Sequence, residues 1–170
     1  MKRNVEFKAE LRDPNLATSI ALALGARHVG TLEQTDTYYK VARGRLKKRE
    51  TVGDETEWIH YHRPDTAGTR ISEFTLYGDE EAMERFGKAD MPVWVVVKKH
   101  RELFILDNVR IHLDAVETLG NFLEFEALVR PGRGKVKCGE AVQRLRAEFS
   151  HVLGEAIATS YCDLIASQAE

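Results

Sequence analysis

The chain has 170 residues, a formal net charge of −2 and 43% apolar content, which suits one globular domain (1–170) with a sizeable core and argues against disorder. No long uncharged apolar run occurs, so no membrane span is expected. The slightly acidic balance excludes a general nucleic-acid binder, yet RGRLKKRE, VVVKKHRE and RPGRGKVK gather basic residues locally, as a site for a compact anion requires.

MKRNVEF enters the first strand at once, so no signal peptide is expected. That strand is NVEFKAEL. A helix follows, with Asp13 as cap, Pro14 in its first turn, Leu16, Ile20 and Leu24 along one side, and Gly25 as its stop. HVGTLEQTDTYYK, RGRLKKRE, TEWIHYHR and RISEFTLY read as strands, with VARG and TVGDE as turns; Gly53-Asp54 marks a hairpin. GDEEAMERFGKAD reads as a short helix, capped by Asp79 and ended by Gly87. PVWVVVKKHRELFIL, NVRIHLDAVE and GNFLEFEALV form a closing meander. KCGEAVQRLRAEFSHVLG is an amphipathic helix with Val142, Leu145, Phe149 and Val152 spaced three and four apart, and SYCDLIA makes a last helix. Cys138 and Cys162 lie far apart in helical regions and read as reduced residues, which points to the cytoplasm. Neighbouring strands joined by short turns imply an α+β protein built on an antiparallel sheet, and their number favours closure into a barrel.

Period-two reading gives several strands one ionisable and one apolar face. Asn4, Glu6, Lys8 and Glu10 oppose Val5, Phe7, Ala9 and Leu11. Arg45, Lys47 and Arg49 share a face, as do Lys99 and Arg101. Arg110, His112 and Asp114 oppose Val109, Ile111 and Leu113, while Glu124 and Glu126 oppose Leu123, Phe125 and Ala127. His60 and His62 oppose Ile59 and Tyr61. Any one such face reads as solvated. Together, acids two apart on some strands and bases two apart on others suggest a polar barrel interior with the apolar faces turned out under helices. A charged interior has a large desolvation cost unless its charges are paired or bind something. A polyanion with a divalent cation satisfies both signs. Carboxylates suit Mg²⁺ or Mn²⁺, and Lys or Arg suit phosphate oxygens. Glu6, Asp114, Glu124 and Glu126 are the candidate metal set; Lys8, Lys47, Arg49, Lys99 and Arg101 are the candidate phosphate set.

NVEFK resembles the Glu-x-Glu-x-Lys signature of the CYTH superfamily, named for class IV adenylyl cyclase and thiamine triphosphatase. RGRLKKRE, YHRPD, VVVKKHRELFI, RIHLDAVETLGNFLEFE and SYCDLI resemble the remaining family segments in the same order, and QTDTYY resembles the second strand of the cyclase branch. The resemblance implies a triphosphate tunnel, an eight-stranded closed antiparallel barrel holding a triphosphate and Mg²⁺ or Mn²⁺. By position it assigns Glu6 and Lys8 to the signature's second acid and lysine, and Lys47, Arg49, Lys99 and Arg101 to its basic pairs. His62 falls where relatives often place a lysine, with Arg63 adjacent. Asp114, Glu124 and Glu126 match the later acids. Asn4 replaces the signature's first acid and supplies no charge.

The expected partner is a small triphosphate (ATP, thiamine triphosphate or tripolyphosphate), with no nucleic acid and no membrane, and a homodimer is compatible. Two reactions fit: hydrolysis, or cyclisation of ATP to cyclic AMP and pyrophosphate. Lys8 and a metal-held water are the candidates for the proton-accepting role. Asn4 also motivates a non-catalytic polyphosphate- or nucleotide-binding barrel, and a partner-binding barrel with incidental charges is the plainest alternative. His60 and His62 have no third ligand placed with them, so zinc is not expected. His112 either lines the cavity or is structural. Trp58, Trp94 and Phe104 read as outward core residues, and RPGRGK as a turn rather than a phosphate loop. Tyr161 is placed either at one tunnel end or as an anchor of the last helix.

Overall fold

A computed structural model gives the structure of the protein and describes residues 1–87 and 91–169. The end of the segment read as the second helix, residues 88–90, lies outside the described residues. The elements are β1 (Lys2–Leu11), α1 (Pro14–Ala23), β2 (Arg27–Tyr39), β3 (Arg45–Thr51), β4 (Glu57–His62), β5 (Arg70–Tyr77), α2 (Asp79–Phe86), β6 (Val93–Leu106), β7 (Val109–Val116), β8 (Gly120–Leu128), α3 (Lys135–Glu148), β9 (Leu153–Ala156) and α4 (Tyr161–Gln168). The sheet order is β5-β4-β3-β2-β6-β7-β8-β1-β9, and pairing of β5 with β1 closes eight antiparallel strands into a barrel. β9 adds to β1 beyond the reach of β5, pairing Ala9 with Ala156 and Leu11 with Leu153. At the β3 approach, Gly44 has φ +69, and a Cβ there would meet the Tyr61 carbonyl oxygen at 2.6 Å, so only glycine fits.

The apolar faces of β1, β7 and β8 point outward. Val5, Phe7, Ile111, Leu113, Leu123 and Phe125 meet Ala17 and Ala21 of α1 and Cys138, Val142, Leu145 and Phe149 of α3 in one core. Phe125 lies between Phe7 and Phe149, with ring centroids 6.3 and 5.4 Å away. Burial of such side chains stabilises by about 1.5–3 kcal/mol each, so this outer layer is where the barrel acquires its hydrophobic core. Leu46 and Trp58 pack under Ala82 of α2 in a second outer cluster, with Trp58 Nε1 donating to Asp79 Oδ1 at 2.7 Å.

Four local expectations are corrected. α1 turns Ala17 and Ala21 to the sheet and leaves Leu16 exposed, because alanines allow the helix axis to approach closely. Gly78, not Asp79, caps α2, the Asp79 carboxylate being engaged by Trp58. α3 stops at Phe149, and the chain turns there to supply β9, so buried Val152 belongs to a turn rather than a helix. On β4 the faces are reversed: Ile59 and Tyr61 point into the barrel and join Tyr38, Val97, Val116, Phe122, Tyr161 and Cys162. This cluster fills one end of the barrel beneath α4. The interior is therefore ionic through its middle and apolar at one end.

Candidate functional site

The ionic part of the interior encloses a cavity of about 350 Å³. Its walls include Asn4, Glu6, Lys8, Lys47, Arg49, Arg63, Lys99, Arg101, Glu124 and Glu126, with Ser160 and Tyr161 toward the filled end and Lys2, Arg110 and Arg130 at the opposite mouth. Strand register explains the gathering: β1 pairs Lys8 with Glu124 and Glu6 with Glu126, while β7 pairs His112 with Glu124 and β6 pairs Arg101 with Asp114. The inward residues of adjacent strands thus stack in rows across the wall.

Asp36, which sequence reading did not single out, organises the bases. Its carboxylate accepts from Arg49 Nε and Nη2 at 2.8 and 2.9 Å and from Lys99 Nζ at 2.6 Å, and Lys47 Nζ lies 3.6 Å away. Burial works against its charge, yet Arg49, Lys99 and Lys47 hold the carboxyl well below its ordinary range. Burial lowers Lys99, and it brings Lys47 down to about 8 with help from Arg49. These bases are therefore crowded cations, and a phosphate chain would relieve that crowding.

The acids divide into two sorts. Glu6 accepts from Arg63 Nη1 at 2.8 Å, with Arg70 Nε at 3.7 Å, and Asp114 accepts from Arg101 at 2.7 and 2.9 Å. Arg101 outweighs burial at Asp114 and takes its pKa to about 2. Both carboxylates are already neutralised by arginine. Glu124 and Glu126, by contrast, crowd each other beside His112, and one donor atom from each of the three residues falls within a mutual 4.8 Å. Burial and the Glu124 charge push Glu126 up to about 8, and burial with Arg101 takes His112 down to about 4. A neutral imidazole beside two carboxyl groups that hold a proton between them is a donor set suited to a divalent cation, which would take that proton's place. The residues present therefore fit such an ion; Glu124 and Glu126 belong to the expected metal set, while Glu6 and Asp114 lie elsewhere on the wall, each held by an arginine.

The structure brings Glu6, Lys8, Lys47, Arg49, Lys99, Arg101, Asp114, Glu124 and Glu126 to the barrel interior. His62 is the exception. It is exposed on the outer face, and the next residue, Arg63, turns inward to Glu6 and Ser160. The reversal on β4 is the reason. Arg70 and Asp36 are not singled out by the sequence because neither lies in a run of like charge; Arg63 is marked there only as the neighbour of His62, and Tyr161 only as a tunnel-end or anchoring residue. The outward Trp58 and Phe104 are core residues, as expected, whereas Trp94 is half-buried against the cluster at the filled end, with the Arg45 guanidinium 5.1 Å from its ring. No helix of the described residues is long and apolar enough to cross a membrane.

The CYTH domain model matches residues 2–152. No curated protein matches the chain by sequence. Among solved structures, the PH1012 protein of Pyrococcus horikoshii OT3 superposes with a TM-score of 0.74 at 24% identity, covering 95% of this chain and 98% of its own. A candidate adenylate cyclase from Vibrio parahaemolyticus gives 0.73 at 17% identity, covering 96% and 97%. HpAC1 from Hippeastrum, a candidate adenylyl cyclase with a dominant triphosphatase activity, gives 0.63 at 15% identity, covering 100% and 97%. At these identities the likeness is one of fold.

Proposed function

The chain belongs to the CYTH family, and from that premise we propose that it is a divalent-metal-dependent enzyme that cleaves a small-molecule triphosphate in the barrel cavity. The observation that carries this reading is the juxtaposition of a base-lined cavity (Lys8, Lys47, Arg49, Lys99, Arg101) with the His112–Glu124–Glu126 group. HpAC1's dominant triphosphatase activity supports hydrolysis, and the Vibrio protein's description supports cyclisation. The two reactions differ in which phosphorus meets the nucleophile.

His112, Glu124 and Glu126 would hold Mg²⁺ or Mn²⁺, which when bound supplies charge neutralisation at phosphoryl oxygens. The chain's own residues do the rest. Arg49 and Arg101 offer planar forks to phosphate oxygens, and Lys47 and Lys99 add point charges. Asp36 and Asp114 fix the directions of those donors from behind, so little reorganisation is needed when charge develops on the phosphate. Lys8, between Glu124 and the cavity, is placed to neutralise or protonate an oxygen of the departing group.

Purified protein supplied with Mg²⁺ or Mn²⁺ should consume at least one of tripolyphosphate, thiamine triphosphate and ATP; failure with all three refutes catalysis. A non-catalytic binder is the second reading, favoured by Asn4, an uncharged and buried residue where the family signature has an acid. It predicts tripolyphosphate binding without turnover. Asn4→Glu separates the two: rising metal-dependent turnover marks an enzyme, and unchanged binding without turnover marks a binder.

A further inference from the structure

The family match ends at residue 152, yet residues after it build part of the cavity wall. Ser160 and Tyr161 line the cavity, carried there by the start of α4. Ser160 caps that helix through a reciprocal box with Asp163, bonds Tyr61 Oη at 2.9 Å and accepts from Arg63 Nη2. Arg70, buried in the wall, donates to the Ile157 and Ala158 carbonyls at 3.0 and 2.6 Å. Asp163 accepts from Arg45 at 3.0 Å. The segment is thus fastened to inward-facing residues of β3, β4 and β5.

What this fastening fixes is the Tyr161 ring. Its hydroxyl donates to Asp114 Oδ2 at 2.7 Å, and its ring packs against Phe122 at a tilt of 58° with centroids 5.1 Å apart. The ammonium of Lys8 sits over the ring, 3.9 Å from the centroid, and that of Lys99 lies 5.9 Å away. The two lysines are otherwise held differently. Lys99 is locked by Asp36 at 2.6 Å, whereas Lys8 has Glu124 at 3.4 Å, a carboxylate shared with His112 at 3.1 Å. A four-carbon stem with a loose ion pair does not aim an ammonium closely. A pinned aromatic face does, because it favours a cation over its centre.

We propose that Tyr161 is a positioning residue of the site: its ring, held from outside the family-matched segment, sets the place of the Lys8 ammonium in the cavity. The proposal rests on the triphosphate reading. An alternative role confined to docking α4 would ask only for an apolar side chain at this position, and would leave Lys8 indifferent to what stands there.

A double-mutant cycle separates the roles. The probe is tripolyphosphate, and its affinity is measured by calorimetry on the full chain for wild type, Tyr161→Phe, Tyr161→Leu, Lys8→Ala and the Lys8→Ala/Tyr161→Leu double variant. Tyr161→Phe keeps the ring and should stay within about threefold of wild type, whereas Tyr161→Leu should lose about tenfold. In the Lys8→Ala background the same Leu substitution should change affinity by less than about twofold. Equal losses in both backgrounds, or a Phe variant as weak as the Leu variant, overturn the proposal. Tyr161→Met takes the place of Leu, with the same two outcomes, where the Leu variant does not fold. Absence of tripolyphosphate binding by wild type overturns the triphosphate reading and this proposal together, a result distinct from equal losses.

Discussion

Replacing Asp36 by Asn removes one negative charge from a fully buried position while leaving Arg49, Lys99 and Lys47 around it. The variant keeps the volume but makes three cations share a neutral amide. Breaking a buried ion pair from one side costs about 3–5 kcal/mol, because the abandoned charge stays desolvated. For a chain of this size each kcal/mol moves the melting temperature by about 2–4 °C, so the midpoint should fall by about 6–20 °C. Thermal unfolding with urea denaturation as a second measure reads this directly. The acid limb gives a sign check. A carboxyl held below its ordinary 3.8 contributes stability that is present above that value and lost as pH falls through the folded-state value. The gap between wild type and Asp36→Asn should therefore be full near neutrality and narrow on acidification below pH 3.8. Tripolyphosphate should also raise the variant's midpoint more than that of wild type, since a bound anion restores the missing charge. A loss under about 1 kcal/mol, constant with pH, would refute the assignment of Asp36 as the anchor of the base set.

Glu126→Gln should weaken Mn²⁺ binding by about tenfold or more, read by calorimetry, since an amide cannot give up a proton to become a charged donor as the carboxyl can; unchanged affinity moves the cation elsewhere. His62→Ala should leave tripolyphosphate affinity within about twofold, as expected of an exposed outward side chain, while Arg63→Ala, which takes from Glu6 the nearer of its two arginines, should lower it about tenfold or more. Phe125→Ala should cost about 3–5 kcal/mol in urea denaturation, through the cavity left between Phe7 and Phe149.

The alternation on β1, β7 and β8 revealed both their outward apolar faces and the inward acids and bases, because there the interior is ionic and the exterior is covered by α1 and α3. The same rule inverted β4. At that end the barrel is filled by Tyr38, Tyr61, Phe122 and Tyr161, so the apolar residues of β4 belong inside and His60 and His62 outside. Asp36 was invisible for a different reason: QTDTYY is polar on both faces, and period two carries no contrast there. Tyr161 reaches Lys8 across more than 150 positions of sequence, a contact set by where β9 and α4 pack at one end of the barrel and not by any local pattern. On α1 the leucine spacing drew attention away from the small residues, Ala17 and Ala21, which actually touch the sheet.

Because Tyr161 and its neighbours pack into one end of the barrel, the polar mouth at the other end is the natural way in. A molecule that goes in phosphates first has its tail nearest the doorway. On the triphosphate reading proposed above, an inner fragment would wait until the outer one had gone. On that reading the shape would order the departures, the fragment against the lysines going last.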